Sequence, residues 1–168
     1  MTAAKRTKAA NETGPKPRSV SRLAAVQALY QMDMAGTDLS DVIEEFVEQR
    51  LTQEADTEGS DANGLEGADA TFFADILRGV VRRQRDIDPM IDEQLATGWR
   101  LVRVDSILRA ILRAGVFELM ERQDVPARVV INEYINVAHA FFNDDEPKVV
   151  NGMLDKIAHG LRAKEFEK

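Results

Sequence analysis

The chain has 168 residues, no cysteine and a formal net charge of −7 at pH 7. That length suits one domain with a real core, because about two-thirds of the surface of an unfolded chain this size can be buried on folding. The missing cysteines exclude disulfides, thiolate metal sites and cysteine nucleophiles; no apolar run reaches the ~18 residues of a membrane span, and the N-terminus lacks the apolar centre of a secretory signal, so a soluble cytoplasmic protein is expected.

The charge is unevenly spread. From Met1 to Arg22 the cations are Lys5, Arg6, Lys8, Lys16, Arg18 and Arg22, against Glu12 alone. From Asp38 to Asp75 there are twelve acids and one cation, Arg50. A basic arm on an acidic body fits contact with a polyanion, and it fits a merely solvated tail as well.

In chain order, residues 1–17 have no apolar period and are rich in Ala, Lys, Thr, Gly and Pro, which predicts a disordered basic arm. Ser19 or Ser21 can cap a first helix over Leu23 to Met34. Leu23, Val26, Leu29 and Tyr30 form its expected buried side, and Gly36 ends it. Asp38 or Ser40 opens a second helix on Val42, Ile43, Phe46, Val47 and Leu51. Residues 53–69 are acidic, glycine-rich and free of bulky side chains except Leu65, so they read as an exposed loop insertion. Asp69 caps a third helix carrying Phe72, Phe73, Ile76, Leu77, Val80 and Val81. Gly79 inside it costs about 1 kcal/mol against alanine, which points to a close helix contact. Arg78, Arg82, Arg83 and Arg85 in its far half complement the negative end of the helix dipole. Asp88-Pro89 reads as a cap with proline at the first position of a fourth, short helix, stopped by Gly98.

Three apolar-periodic segments follow. Val104, Ile107, Leu108, Ile111, Leu112, Gly115 and Leu119 share one helical face, as do Val130, Ile131, Tyr134, Ile135, Ala138, Phe141 and Phe142. Val149, Val150, Met153, Leu154 and Ile157 repeat the pattern. Faces this wide cannot stand alone in water and predict a bundle. The sum is an all-α fold of about seven helices, with a single domain over 18–160 and a charged, fraying tail over 161–168.

Little in the sequence carries chemistry. His139 and His159 have no partner at ligand spacing, and Asn143–Glu146 lacks the alternation of a calcium loop, so no metal site, cofactor or catalytic residue is expected. Glu133 is expected to pair with Arg109 or Arg113. Binding remains. Lys16, Arg18 and Arg22 can meet phosphates, and Ser19, Ser21 and Gln27 can bond bases or sugars. Phe72 and Trp99 are candidate stacking platforms, though both residue types also serve as core.

Several stretches together resemble the NusB family of antitermination factors. The arm and first helix, KPRSVSRLAAVQALYQMD, resemble the family opening of arginines before an A-x-Q-x-L-Y type run, here Ala25 to Tyr30. ILRAGVFEL is similar to the LR…YEL segment, with Phe117 in place of tyrosine. VPARVVINEYINVA resembles P-x-x-V-x-I-N-E-x-I-x-x-A, and KVVNGMLDKIA resembles the V-N-G-x-L-D-K motif. The matches run in order from Lys16 to Ala158. The acidic stretch over 53–69 is longer than in short family members.

The resemblance implies two packed helical sub-bundles. It implies a non-catalytic, RNA-binding transcription factor that pairs with NusE, a small-subunit ribosomal protein, binds boxA of nascent ribosomal RNA and joins the antitermination complex on RNA polymerase. By motif, Lys16, Arg18 and Arg22 match the basic arm, while Ser19 and Val20 stand where some members are basic. Gln27 matches the family glutamine, and Asp145 and Lys148 match positions beside the RNA surface. Trp99, Arg103, Asp105 and Arg109 are placed at the NusE face. Asn151-Gly152 matches a signature, and the glycine suggests a helix approaching there. The alternative is a NusB-like adaptor module of an rRNA-modification system. The sequence leaves monomer and homodimer open.

Overall fold

The computed structural model describes residues 16–51, 65, 67–95 and 105–167. The expectations for the arm over 1–15, for most of the acidic insertion, and for Trp99 and Arg103 lie outside these residues.

Six α-helices account for nearly all of the described chain: α1 (Pro17–Ala35), α2 (Leu39–Glu45), α3 (Ala70–Leu95), α4 (Ser106–Glu121), α5 (Ala127–Phe141) and α6 (Glu146–Leu161). A wide-turned segment, Phe46–Leu51, continues α2, and a 3-10 turn, Ala163–Phe166, follows α6. No strand occurs among the described residues.

The ends follow local chemistry. α1 starts at Pro17, earlier than expected, because proline fixes a helical φ and has no amide to leave unpaired. No side chain caps it. Gly36 ends it with φ 67°, and its amide donates to the Met32 carbonyl at 3.0 Å. Asp38 accepts from the Ser40 amide at 3.2 Å, Asp69 from Phe72 at 3.0 Å and Asp105 from Ile107 at 2.8 Å, so three aspartates cap α2, α3 and α4.

The expected break at Asp88-Pro89 does not occur, and this is why six helices stand where about seven were expected. α3 runs through Pro89. Proline inside a helix costs about 3 kcal/mol or more. Ile87, Ile91 and Leu95 are all buried on one face across it, and Asp88 takes a two-pronged ion pair from Arg113 of α4 at 2.9 and 3.0 Å. Burial of three side chains at about 1.5–3 kcal/mol each outweighs the lost backbone bond. The arginine cluster therefore lies mid-helix and not at a dipole end. Arg82 pairs with Glu121 at 2.9 Å, and Arg83 with Asp86 at 3.0 Å.

α4 is the centre. It packs on α1 and α3 on one side and on α5 and α6 on the other, so the two sub-bundles share it. Its apolar side chains join one continuous core with those of the other helices. Gly79 lets α3 and α4 meet: a methyl group there would run into the Phe117 ring. Gly152 behaves otherwise. It is exposed, with nothing within 4 Å of where a Cβ would stand, so among the described residues no helix approaches it.

The segment expected to fray is tied to the bundle through Arg162 and Glu165. Arg162 is only 4% exposed. Its guanidinium donates to the carbonyls of Glu118 (2.8 Å), Leu119 (2.9 Å), Arg122 (2.8 Å) and Val125. The last carbonyls of a helix lack intrahelical partners, and here a side chain from beyond α6 supplies them for α4. Glu165 pairs with Arg162 at 3.0 Å and accepts from the Ala127 amide at 2.9 Å, which caps the start of α5. Those donors hold its carboxyl below its usual range.

Candidate nucleic-acid interface

α1 is amphipathic in three directions. One side is core. A second meets α3 and the end of α4. The third follows a seam with α5.

On the core side, Arg22 is buried beside a fully buried Glu118. Its Nε and Nη2 donate to the two carboxylate oxygens at 2.7 and 2.9 Å, and the Tyr134 hydroxyl donates to the same carboxylate at 2.5 Å. Burial works against the Arg22 charge, but the hydrogen bond and charge of Glu118 hold its proton more firmly than usual. Burial, followed by the charge of Glu118, pushes the Tyr134 phenol well above its ordinary range. Glu133 meets Arg22 at 3.5 Å and accepts from the Ser19 hydroxyl at 2.8 Å. Its arginine is thus Arg22 of α1, and not Arg109 or Arg113, which pair instead with Asp33 and Asp88. Ser21 is also buried; its hydroxyl is shared by the carbonyl oxygens of Pro17 (2.9 Å) and Asp69 (2.7 Å). Arg22 and Ser21, read from the sequence as RNA contacts, therefore tie α1 to α3, α4 and α5.

On the second side, Arg18 is exposed and pairs with Asp124 at 3.3 Å. Arg122 shares Asp124 at 3.0 Å and reaches Asp75 at 3.2 Å. Burial would raise the Asp124 carboxyl, but the bonds and charge of Arg122, with a bond from Arg18, lower it below its usual range. Phe72 cannot be a stacking platform, since it is 2% exposed. The guanidinium groups of Arg18, Arg22 and Arg122 lie 4.6, 4.9 and 5.1 Å from its ring centre. Cations over a ring face are attracted to its quadrupole, so Phe72 gathers arginines and is closed to bases.

The third side is open. Lys16, Ser19 and Leu23 line a hollow of about 360 Å³ against Glu133, Asn136 and Val137 of α5. Farther along α1, Gln27, Tyr30, Gln31 and Met34 line a second hollow of about 440 Å³, closed by Phe141 and Ile107. The two hollows follow one another along α1, the first lying against α5 and the second reaching α5 at Phe141 and bordered also by Arg50; together they make up the seam on this side of the helix. Asp145 and Lys148 are exposed at the α5–α6 turn, just past Phe141. Of the residues read from the sequence, Lys16 and Ser19 line the first hollow and Gln27 the second, Arg18 lies on the neighbouring edge, and Asp145 and Lys148 line neither hollow but stand exposed a few residues past Phe141. Asp105 is exposed and caps α4; Arg109 is partly covered and reaches Asp33 at 3.5 Å.

Tyr30 was misplaced by the periodicity. It is 36% exposed and lines the seam. Gln27 three residues earlier marks that boundary, because positions i and i+3 share a helix face. Glu133 and Asn136 were missed as lining residues; only the packing of α5 beside α1 exposes them. Among the described residues no group of three or more His, Asp or Glu could hold a metal, and no helix is long and apolar enough to cross a membrane.

Fold and seam define a class first: an all-helical protein with a mixed polar and apolar groove that has cations at its ends. The chain belongs to the NusB family, whose model matches residues 19–159. Proteins named transcription antitermination protein NusB are similar to it over most of its length. That of Allorhizobium ampelinum is 54% identical over 145 residues, covering 86% of this chain and 88% of that protein. That of Caulobacter vibrioides is 54% identical over 147 residues, covering 88% and 95%. Among solved structures, T. maritima NusB superposes with a TM-score of 0.70 at 29% identity over 91% of this chain and 99% of that one. A chain from a crystal structure described as that of a plectonemic RNA supercoil shares the fold, with a TM-score of 0.68 at 24% identity, covering 84% and 94%.

Proposed function

We propose that this member of the antitermination family catalyses no reaction and binds boxA of nascent ribosomal RNA together with NusE, as part of the antitermination complex on cytoplasmic RNA polymerase. The observation that carries this reading is the seam between α1 and α5. It offers a cation at Lys16, hydrogen-bonding groups at Ser19 and Gln27, and an exposed aromatic ring at Tyr30 in sequence along one helix. Single-stranded RNA is recognised by such a combination: positive charge for phosphates, polar groups for base edges and rings for stacking. Lys148 and Arg18 extend the positive charge beyond the ends of the seam, and Asp145 stands beside Lys148.

The start of α4 is the face proposed for NusE, through Asp105 and Arg109 and the adjoining Trp99 and Arg103. The experiment is a titration of boxA RNA with and without NusE at two salt concentrations. Binding that tightens with NusE and weakens with salt is expected, because each phosphate contact releases counterions. Binding indifferent to NusE would remove the partner, and no binding under either condition would remove the reading.

A further inference from the structure

We infer that the outer face of α3, built on Arg78, Arg82 and Arg85, is a second phosphate-binding surface that takes the RNA flanking boxA without reading its sequence. This rests on the RNA reading above and adds to it a surface outside the seam.

The three arginines stand at i, i+4 and i+7, so they share one face of α3, with Arg78 and Arg85 about 10 Å apart along the axis. That face points away from the core. Arg78 and Arg85 are exposed, the Arg82 side chain is 55% exposed, and Val81 beside them is 41% exposed. Arg82 donates to Glu121 of α4 at 2.9 Å, and Arg83, on the α4 side of the helix, lies 3.6 Å from the same carboxylate. Arg78 and Arg85 make no hydrogen bond or ion pair with a described residue. On a chain of net charge −7, acids were available to pair with them, as acids do with Arg18, Arg82 and Arg122. The helix dipole does not hold them either, because its charge is confined to the terminal turns and they lie mid-helix.

The stripe is continuous with the start of α1. Arg18 and Arg122 share Asp124, at 3.3 and 3.0 Å, and Arg122 reaches Asp75 at 3.2 Å, three residues before Arg78 on α3. Cations therefore follow one another from Lys16 and Arg18, over the end of α4, onto α3. A strand whose bases lie in the seam has phosphates beyond them, and this run of cations gives those phosphates a path. Arginine suits the task, since its fork of donors meets two phosphate oxygens at once. Arg78, Val81, Arg82 and Arg85 offer no ring for stacking and no amide for a base edge, so the contact is with phosphate alone and carries no sequence information. An acidic protein surface would meet the same charges; the continuity with Arg18 favours RNA.

The test compares, with NusE present and over a range of salt, binding of the full-length chain to boxA RNA and to boxA RNA lengthened at both ends by unstructured nucleotides. The longer RNA should bind more tightly and lose affinity more steeply with salt. Arg78→Ala with Arg85→Ala should lower the slope of log affinity against log salt for the longer RNA by about 1.4, two phosphate contacts at roughly 0.7 each for a single strand, and leave the boxA slope unchanged. The unfolding midpoint should not move, since neither arginine has an internal partner. Arg78→Lys with Arg85→Lys should restore most of the slope, because the charge remains. Scrambling the flanks should change nothing. No gain from added length, a gain that depends on flank sequence, or an alanine variant that lowers both slopes alike or neither overturns the inference. If that variant weakens NusE binding instead, the stripe meets an acidic protein surface and the inference falls as well. In each of these outcomes the RNA reading stands so long as boxA itself binds with NusE; absence of binding to either RNA would remove both.

Discussion

Arg18 and Arg22 stand one turn apart on α1 and carry the same charge, yet their side chains are 44% and 3% exposed. Arg22 meets Glu118 with two hydrogen bonds in the core, and Arg18 meets Asp124 through water-accessible space. A helix turns about 100° per residue, so four residues keep a side chain near the same face, but the surroundings change along the axis. At Arg22 the helix is flanked by α4 and α5; at Arg18 it has reached the rim of the bundle. A repeated arginine in an N-terminal motif therefore conceals two settings: one is locked into a buried ion pair, and the other stands exposed at the rim in a surface pair with Asp124.

The largest effect should come from breaking the buried member. Arg22→Ala leaves the Glu118 carboxylate without its cation in a site with no water access, and removal of one partner of a buried pair costs about 3–5 kcal/mol. Urea unfolding should show this as a large fall in midpoint. A loss below about 1 kcal/mol would mean that Glu118 and Tyr134 satisfy one another without Arg22. The same network predicts an alkaline limit. The Tyr134 phenol has a raised affinity for its proton in the fold, so its contribution is intact below its ordinary pKa near 10 and is lost as pH rises through the shifted value. Tyr134→Phe should flatten the decline of stability above pH ~10.

A second buried cation sharpens the comparison from the other end of the chain. Arg162→Ala removes the donors from four carbonyls around the end of α4. Three of them keep another donor, the Arg122 amide to Glu118, the Gln123 side chain to Leu119 and the Val125 amide to Arg122, so the Val125 carbonyl is the acceptor left unpaired and a net loss of about 1–3 kcal/mol is expected in thermal unfolding. Arg162→Lys should recover only a fraction, since one ammonium cannot span that fork of acceptors.

The glycines test packing in the same manner. Gly79→Ala forces a methyl into the Phe117 ring and should destabilise by about 1–3 kcal/mol. Gly152→Ala meets empty space and should stabilise by up to about 1 kcal/mol, through helix propensity alone. A destabilised Gly152→Ala would show that the helix needs the glycine for a reason other than contact.

These pairs also show what could be read before the fold was known. The 3.6-residue period finds the helices because each buries one wide stripe, and Asp38, Asp69 and Gly36 fix their ends through purely local bonds; Asp105, read only as a partner contact, caps α4 in the same way. Gly79 was legible because its cost demanded a close neighbour. The seam was half legible: Lys16, Ser19 and Gln27 share one helix, whereas Glu133 and Asn136 reach it only through tertiary packing. Arg22, Ser21 and Arg162 were misread for one reason. Charge and polarity argue for the surface unless a partner is known, and the partners Glu118, Asp69 and the α4 carbonyls are 96, 48 and about 40 residues away. Pro89 misled for a related reason, since propensity gave way to burial on both sides of it.

The smallest effect on stability is expected from Arg18, and it is the most informative about function. Exposed ion pairs contribute about 0–1 kcal/mol, and Asp124 keeps Arg122 as a second partner, so Arg18→Ala should leave the unfolding midpoint almost unchanged. Its effect should appear instead in RNA binding. Loss of one phosphate contact lowers the slope of log affinity against log salt by about one, uniformly across sequences, because a phosphate contact carries no base information. Arg22→Ala should differ in kind: its affinity loss would track the fraction of folded protein and recover under stabilising conditions. If Arg18→Ala leaves the slope intact while Lys16→Ala reduces it, phosphate contact is confined to the α1–α5 seam, and Arg18 belongs with Phe72 and Arg122 in holding the rim of the bundle.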